Sequence, residues 1–184
     1  MGLRDDVARV LISEKALQAR VAELGQAINA TYSDEDRPLL VCVLKGAFVF
    51  LADLARHLKM RHEMDFMEIS SYGATTVSSG VVRILLDLEQ NVEGRHVLIV
   101  EDIVDSGCTL DYITRNLRTR RPASLRVCTL LSKPSRREID VPLDFVGFEV
   151  PDEFVVGYGL DFAEEYRNLP FIGILKERVY QGSE

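Results

Sequence analysis

Residues 97–109 read Val-Leu-Ile-Val-Glu-Asp-Ile-Val-Asp-Ser-Gly-Cys-Thr, and no other stretch of the chain restricts its fold so strongly. A hydrophobic strand ends on two adjacent carboxylates, Glu101 and Asp102, turns through Asp105-Ser106-Gly107 and enters a helix at Thr109. A strand that feeds a helix through a short turn is a unit of α/β sheets, whose binding sites lie at the carboxyl ends of the strands. The turn offers successive backbone N–H groups, a flexible glycine and the hydroxyls of Ser106 and Thr109 at a helix N-terminus, which suits a phosphate monoester. The two acids would repel phosphate, but they can accept hydrogen bonds from sugar hydroxyls. Acids beside an anion cradle therefore suggest a phosphorylated sugar. The P-loop spacing G-x-x-x-x-G-K-[ST] is absent, which argues against a kinase or ATPase. Taken singly, each of these residues fits a plain strand, an Asx-type turn and a capped helix with solvated acids; their coincidence is harder to explain that way.

The rest of the chain fits the same architecture. Ser13 can cap a helix whose apolar positions Leu17, Val21, Leu24 and Ile28 share one face, with Glu14 in the first turn. Residues 39–44 are continuously apolar between Pro38 and Gly46, as expected of a strand buried on both faces, and a helix over about 47–58 follows. Strand-like runs recur at 64–69, 81–86, 96–100, 125–131, 145–148, 154–156 and 172–175, with a second clear helix over about 109–118. This alternation predicts an α/β sheet with antiparallel additions near both ends. Residues 71–80 are small and polar between two strands, the composition of a loop that can move.

With 184 residues and 47% hydrophobic content, one domain spanning 1–184 is expected to bury its own core. A net charge of −7 argues against a broad basic surface for nucleic acid. No run is long and apolar enough for a signal segment or a membrane span. Cys42, Cys108 and Cys128 lie far apart and lack metal or redox spacing, which fits a reducing cytoplasmic setting. His57, His62 and His96 show no ligand spacing and are read as structural or solvated.

Residues 97–109 resemble the phosphoribosyl-pyrophosphate signature of type I phosphoribosyltransferases. Further landmarks resemble the branch of that family that handles hypoxanthine and guanine. They are Leu44-Lys45-Gly46-Ala47, Ser71-Tyr72-Gly73, Leu131-Ser132-Lys133-Pro134, residues 151–161 and Tyr166-Arg167-Asn168-Leu169-Pro170, and together they cover nearly the whole chain. The resemblance implies a mostly parallel twisted sheet flanked by helices, with a small hood built from the chain ends. It also implies transfer of the 5-phosphoribosyl group from phosphoribosyl pyrophosphate to hypoxanthine and guanine, giving IMP or GMP and pyrophosphate, with Mg²⁺ as cofactor and a homodimer or homotetramer as the working form.

By the same resemblance, Lys45, Gly46 and Arg167 hold pyrophosphate, and the bond before Lys45 can be cis. Glu101 and Asp102 hold the ribose hydroxyls and, with Asp161, the metal. Ser106, Gly107, Cys108 and Thr109 hold the 5-phosphate, and Asp105 is the general base. Ser71 and Tyr72 belong to a closing lid. Lys133 meets the purine 6-oxygen, for which a group with only donors suits an oxo-purine better than an amino-purine. Phe154 stacks on the base, while backbone groups of Val155 and Asp161 read its edge. Two local alternatives stand beside this: residues 154–156 could be a core strand, and Lys133 could join Arg136 and Arg137 in a solvated basic cluster. The two arginines themselves are read as solvated. Serine replaces the family's commoner threonine at Ser106 with the hydroxyl retained, and Cys108 falls at a variable position. The rival readings are a ligand-sensing regulator on this fold, disfavoured by the net charge, and a transferase for xanthine or a pyrimidine.

Overall fold

Leu39–Leu44 form a strand whose alternate side chains feed two separate cores, which is why the run carries no polar residue. Leu40 and Cys42 face one side with Leu98, Val100 and Leu130, and Leu39, Val41 and Val43 face the other with Val97, Ile99 and Val127. The computed structural model describes residues 2–71 and 82–181. In chain order its elements are β1 (Val7–Ile12), α1 (Glu14–Asn29), β2 (Leu39–Leu44), α2 (Phe48–His57), β3 (Glu63–Ser71), β4 (Val82–Leu86), β5 (His96–Val104), α3 (Cys108–Thr119), β6 (Ser124–Ser132), β7 (Phe145–Glu149), β8 (Ile172–Leu175) and α4 (Glu177–Gln181).

Six strands form one sheet in the order β4-β3-β2-β5-β6-β7. All neighbours are parallel except β3 and β4. Helices α1 and α2 bury their apolar faces on one side through Leu17, Val21, Ile28, Phe50 and Leu54, and α3 covers the other with Leu110, Ile113 and Leu117. Ser13 caps α1 as expected, its Oγ accepting the Ala16 amide proton at 3.3 Å. The antiparallel pair β1 and β8 forms the hood from the two ends of the described chain, with its own cluster around Val156, Tyr166, Leu169 and Phe171.

Two expectations need correction, and one strand has no counterpart among them. Residues 154–156 are not a strand: only Val156 bridges to Gly173, and positive φ angles at Gly157 (100°), Tyr158 (51°) and Gly159 (102°) turn the chain away at once. Strand β1 went unread because its mostly exposed side chains give little period-two contrast and its ladder with β8 is broken by register shifts. Finally, β5 does not end at the acidic pair. Its pairing with β2 stops at Val100, whereas its pairing with β6 continues to Val104↔Ser132, so Glu101 and Asp102 lie inside the strand. Tyr72, Gly73 and the remaining loop residues to 80 lie outside the described residues.

Candidate active site

Strands β2 and β5 are parallel neighbours, so the segment after β2 and the last turn of β5 arrive at the same edge of the sheet. There Gly46 presses against Asp102: a Cβ on Gly46 would stand 1.5 Å from Asp102 Oδ2. A Cβ on Gly159 would in turn meet the Gly46 carbonyl oxygen at 2.1 Å. The close approach of the Asp102 side chain to Gly46, and of the Gly46 backbone to Gly159, thus requires glycine at both positions. The Leu44–Lys45 peptide is cis.

Lys45, Gly46, Asp102, Asp161, Glu164 and Arg167 line a cavity of about 500 Å³. Beside it, Asp105, Ser106 and Gly107 line a recess of about 100 Å³, and Glu101 and Thr109 border both. Gly107 caps α3 in the left-handed region (φ 88°), and Ser106 Oγ accepts the Cys108 amide proton at 3.3 Å. Cys108 lines neither recess.

The larger cavity holds opposed charges. Lys45 Nζ lies 3.2 Å from Glu164 Oε2. Arg167 Nη2 lies 2.9 Å from Asp161 Oδ1 and 3.3 Å from Glu164 Oε2, while its Nη1 donates to the Gly159 carbonyl at 2.8 Å. The Glu164 amide donates to Asp161 Oδ2 at 2.9 Å. Lys45, and then Arg167, draw the Glu164 carboxyl below its ordinary range. Burial pushes Glu101 well above the carboxylate range, with the neighbouring Asp102 charge adding to it. Burial also pushes Asp102 up to about 6, against the opposing pull of the Ile103 amide and Arg167.

Lys133, at the end of β6, is buried rather than solvated. Phe154 is 51% exposed, its ring held edge-on by Phe162 (5.9 Å) and Tyr180 (6.0 Å), so it is a presented aromatic surface and not a core residue. Val155 is buried behind it. Lys133, Phe154 and Val155 line neither recess. Arg136 connects the two regions, with Nε 3.0 Å from Asp105 Oδ1 and Nη1 3.2 Å from Asp152 Oδ1.

The Phosphoribosyl transferase domain model matches residues 11–163. A hypoxanthine-guanine phosphoribosyltransferase of Bacillus subtilis is 55% identical over 97% of this chain and 99% of its own length. The chain belongs to the hypoxanthine-guanine phosphoribosyltransferases. A Mycobacterium avium member of that name is 54% identical over 96% of this chain and 89% of its own. A crystal structure of a Staphylococcus aureus hypoxanthine phosphoribosyltransferase superposes with a TM-score of 0.92 at 44% identity, covering 97% of this chain and 96% of that one.

Does the acidic pair fit the magnesium expected of a hypoxanthine-guanine phosphoribosyltransferase? Among the described residues Glu101 Oε2 is buried without a hydrogen-bond partner, the kind of oxygen a cation satisfies. Among the described residues no three His, Cys, Asp or Glu side chains gather into a metal cage. Two carboxylates that share a hydrated ion with phosphate oxygens suit magnesium, which is seldom enclosed by protein alone.

Two charged residues of the larger cavity carry no signal in the sequence. Glu68 reaches the larger cavity because it pairs with Leu44 across β2 and β3, and Glu164 enters it from the turn after Asp161. Arg136 is exposed, as expected, though it pairs with Asp105 and Asp152, whereas Arg137, also expected to be solvated, is half-buried and engaged. Arg137 donates to the carbonyls of Asp105 (3.2 Å) and Val104 (3.3 Å) and to Ser132 Oγ (2.9 Å), and the amides of Glu138 and Ile139 donate to the Ser106 carbonyl. Their one sequence signal is proximity to Lys133. The bracing of the turn between β5 and α3 by residues 137–139 is a tertiary fact.

Proposed function

We propose that this chain transfers the 5-phosphoribosyl group from phosphoribosyl pyrophosphate to hypoxanthine and guanine, forming IMP or GMP and releasing pyrophosphate. One observation carries the reading: a small recess over the turn before α3 and a larger cation-bearing cavity share Glu101 and Thr109, next to Asp102. Phosphoribosyl pyrophosphate has the same sequence of groups, a monophosphate, a diol-bearing sugar and a pyrophosphate.

In this reading Ser106, Gly107, Cys108 and Thr109 bind the 5-phosphate through backbone amides and hydroxyls. Glu101 and Asp102 accept hydrogen bonds from the ribose hydroxyls, while Lys45, Gly46 and Arg167 bind the pyrophosphate. Magnesium, when bound through Glu101, Asp102 and Asp161, supplies Lewis-acid neutralisation of the leaving group. Phe154 stacks on the purine, Lys133 donates to its 6-oxygen, and the backbone of Val155 and Asp161 reads its edge. As purine N9 forms its bond to C1 of the ribose, the C1–oxygen bond to pyrophosphate breaks with inversion. The proton on N7 passes to Asp105. Ser71 and Tyr72 belong to a lid that excludes water from the activated sugar. The working form is a cytoplasmic homodimer or homotetramer, with no nucleic-acid partner.

The test supplies phosphoribosyl pyrophosphate and Mg²⁺ with hypoxanthine, guanine, xanthine, adenine or uracil in separate reactions. Nucleotide should form with hypoxanthine and guanine and scarcely with adenine or uracil; folded protein that makes no nucleotide defeats the reading. Asp105→Asn should lose about 10²- to 10⁴-fold in turnover while still binding phosphoribosyl pyrophosphate. Full activity in that variant removes Asp105 from the base role.

A further inference from the structure

The cavity assigned to pyrophosphate already contains an anion of the chain's own. Among the described residues, Glu164 is the only charged partner of Lys45, at 3.2 Å, and the same Glu164 Oε2 lies 3.3 Å from Arg167. Both cations that the cavity offers to a leaving group are thus bridged by one carboxylate oxygen.

The backbone that carries Glu164 is unusual for its sequence. Phe162 and Glu165 exchange backbone hydrogen bonds around a two-residue turn, Ala163-Glu164, in which both residues have positive φ, 53° and 66°. Such a turn ordinarily takes Asn-Gly or Asp-Gly, because left-handed backbone is unfavourable for residues with a Cβ. Here the turn is held from outside. The Glu164 amide donates to Asp161 Oδ2, while Arg167 reaches across to Asp161 Oδ1 and to Glu164. Glu164 is therefore aimed into the cavity by a turn that its own local sequence does not favour.

We infer that Glu164 is an internal counter-anion of the pyrophosphate subsite, one that competes with pyrophosphate for Lys45 and Arg167 and so weakens its retention. This rests on the reading of the cavity given above. The chemistry follows from displacement. Pyrophosphate offers several anionic oxygens to Lys45 and Arg167, and to occupy both it must move the Glu164 carboxylate aside. The cost is modest because the Glu164 carboxylate is 67% exposed and its Lys45 partner 54% exposed, although the Arg167 side chain is only 18% exposed. A weak competitor of this kind lets a product leave without abolishing the binding of a substrate that also holds its 5-phosphate and ribose elsewhere in the site.

The inference is tested by titrating inorganic pyrophosphate, at fixed Mg²⁺, into the wild-type chain and the Glu164→Gln, Glu164→Asp and Lys45→Ala variants by calorimetry. Circular dichroism confirms that each variant is folded. Glu164→Gln should bind pyrophosphate about three- to tenfold more tightly, as expected when one or two exposed ion pairs no longer compete. Glu164→Asp, which keeps the charge, should lie nearer the wild type. A purely structural role for the turn would weaken binding in Glu164→Gln or leave it unchanged, and either result overturns the inference. If wild-type binding is strong and falls in Lys45→Ala while Glu164→Gln is no tighter, only the counter-anion role fails. If pyrophosphate does not bind the wild type, or Lys45→Ala binds as well as it does, the assignment of the cavity fails with it.

Discussion

At the scale of single residues, the site is governed by contacts too close for a side chain. A methyl group at position 46 would fall 1.5 Å from Asp102 Oδ2, so Gly46→Ala must displace either the loop after β2 or the acidic pair. A displacement of an ångström in an active site can cost on the order of 100-fold in rate. Gly46→Ala is expected to lose kcat/KM on that scale in the nucleotide-formation assay, with far-ultraviolet circular dichroism preserved; near-normal kcat/KM would show that the contact relaxes harmlessly. Lys45, Gly46, Glu101, Asp102, Thr109, Asp161 and Arg167 were legible from sequence as members of one site because they follow strand ends or stand in recognisable motifs, and one cavity gathers them. Glu164 was not legible. Its place depends on a left-handed turn that Ala-Glu does not announce, and its partner Lys45 is far away in the chain.

At the scale of elements, the corner between β5 and α3 shows what local patterns convey and what they miss. Periodicity and a serine cap located α1, the alternation of strands with helices located α2 and α3, and the continuous apolar run of 39–44 located β2, because burial writes itself into sequence. The extension of β5 to Val104 is set by its neighbour β6 and has no local mark. The same holds for the brace from residues 137–139. Arg137 donates to the Val104 and Asp105 carbonyls and to Ser132 Oγ, tying the end of β5 to the end of β6. Arg137→Met keeps much of the aliphatic stem and removes the donors, so that the Asp105 carbonyl and Ser132 Oγ lose a charged partner while the Val104 carbonyl keeps the Lys133 amide. A loss of about 2 kcal/mol in urea unfolding is expected. Unchanged stability would mean that water replaces the guanidinium without cost.

At the scale of the whole molecule, the buried acids couple stability to pH. A carboxyl whose folded-state pKa is raised holds its proton when the unfolded chain has already released it. Its effect is therefore a loss of stability as pH climbs from the unfolded value to the folded one. For Asp102 the window runs from about 4 in the unfolded chain to about 6 in the folded one, and Glu101 acts in the same direction. Thermal melts from pH 4 to pH 7 should show Asp102→Asn gaining Tm relative to the wild type as pH rises through this window. Parallel curves would mean that the folded chain does not disfavour the Asp102 carboxylate. The membrane question is simpler: among the described residues no helix is long and apolar enough to cross a bilayer.

The hood also ties function to the direction of synthesis. Val7 pairs with Leu175 and Ile12 with Ile172, so β1 must wait for nearly all of the chain before it finds its partner. The strand pairings of the sheet from β2 to β7 end at Glu149, and long-range pairings are the slow ones to close. Tyr180 in α4, one of the two rings that hold Phe154 edge-on, emerges later still. A ribosome making this protein from its N-terminus therefore delivers the turn between β5 and α3 well before Phe154 gains its ring partner in α4, so in the proposed reading the phosphate side of the site is synthesised before its base side is complete.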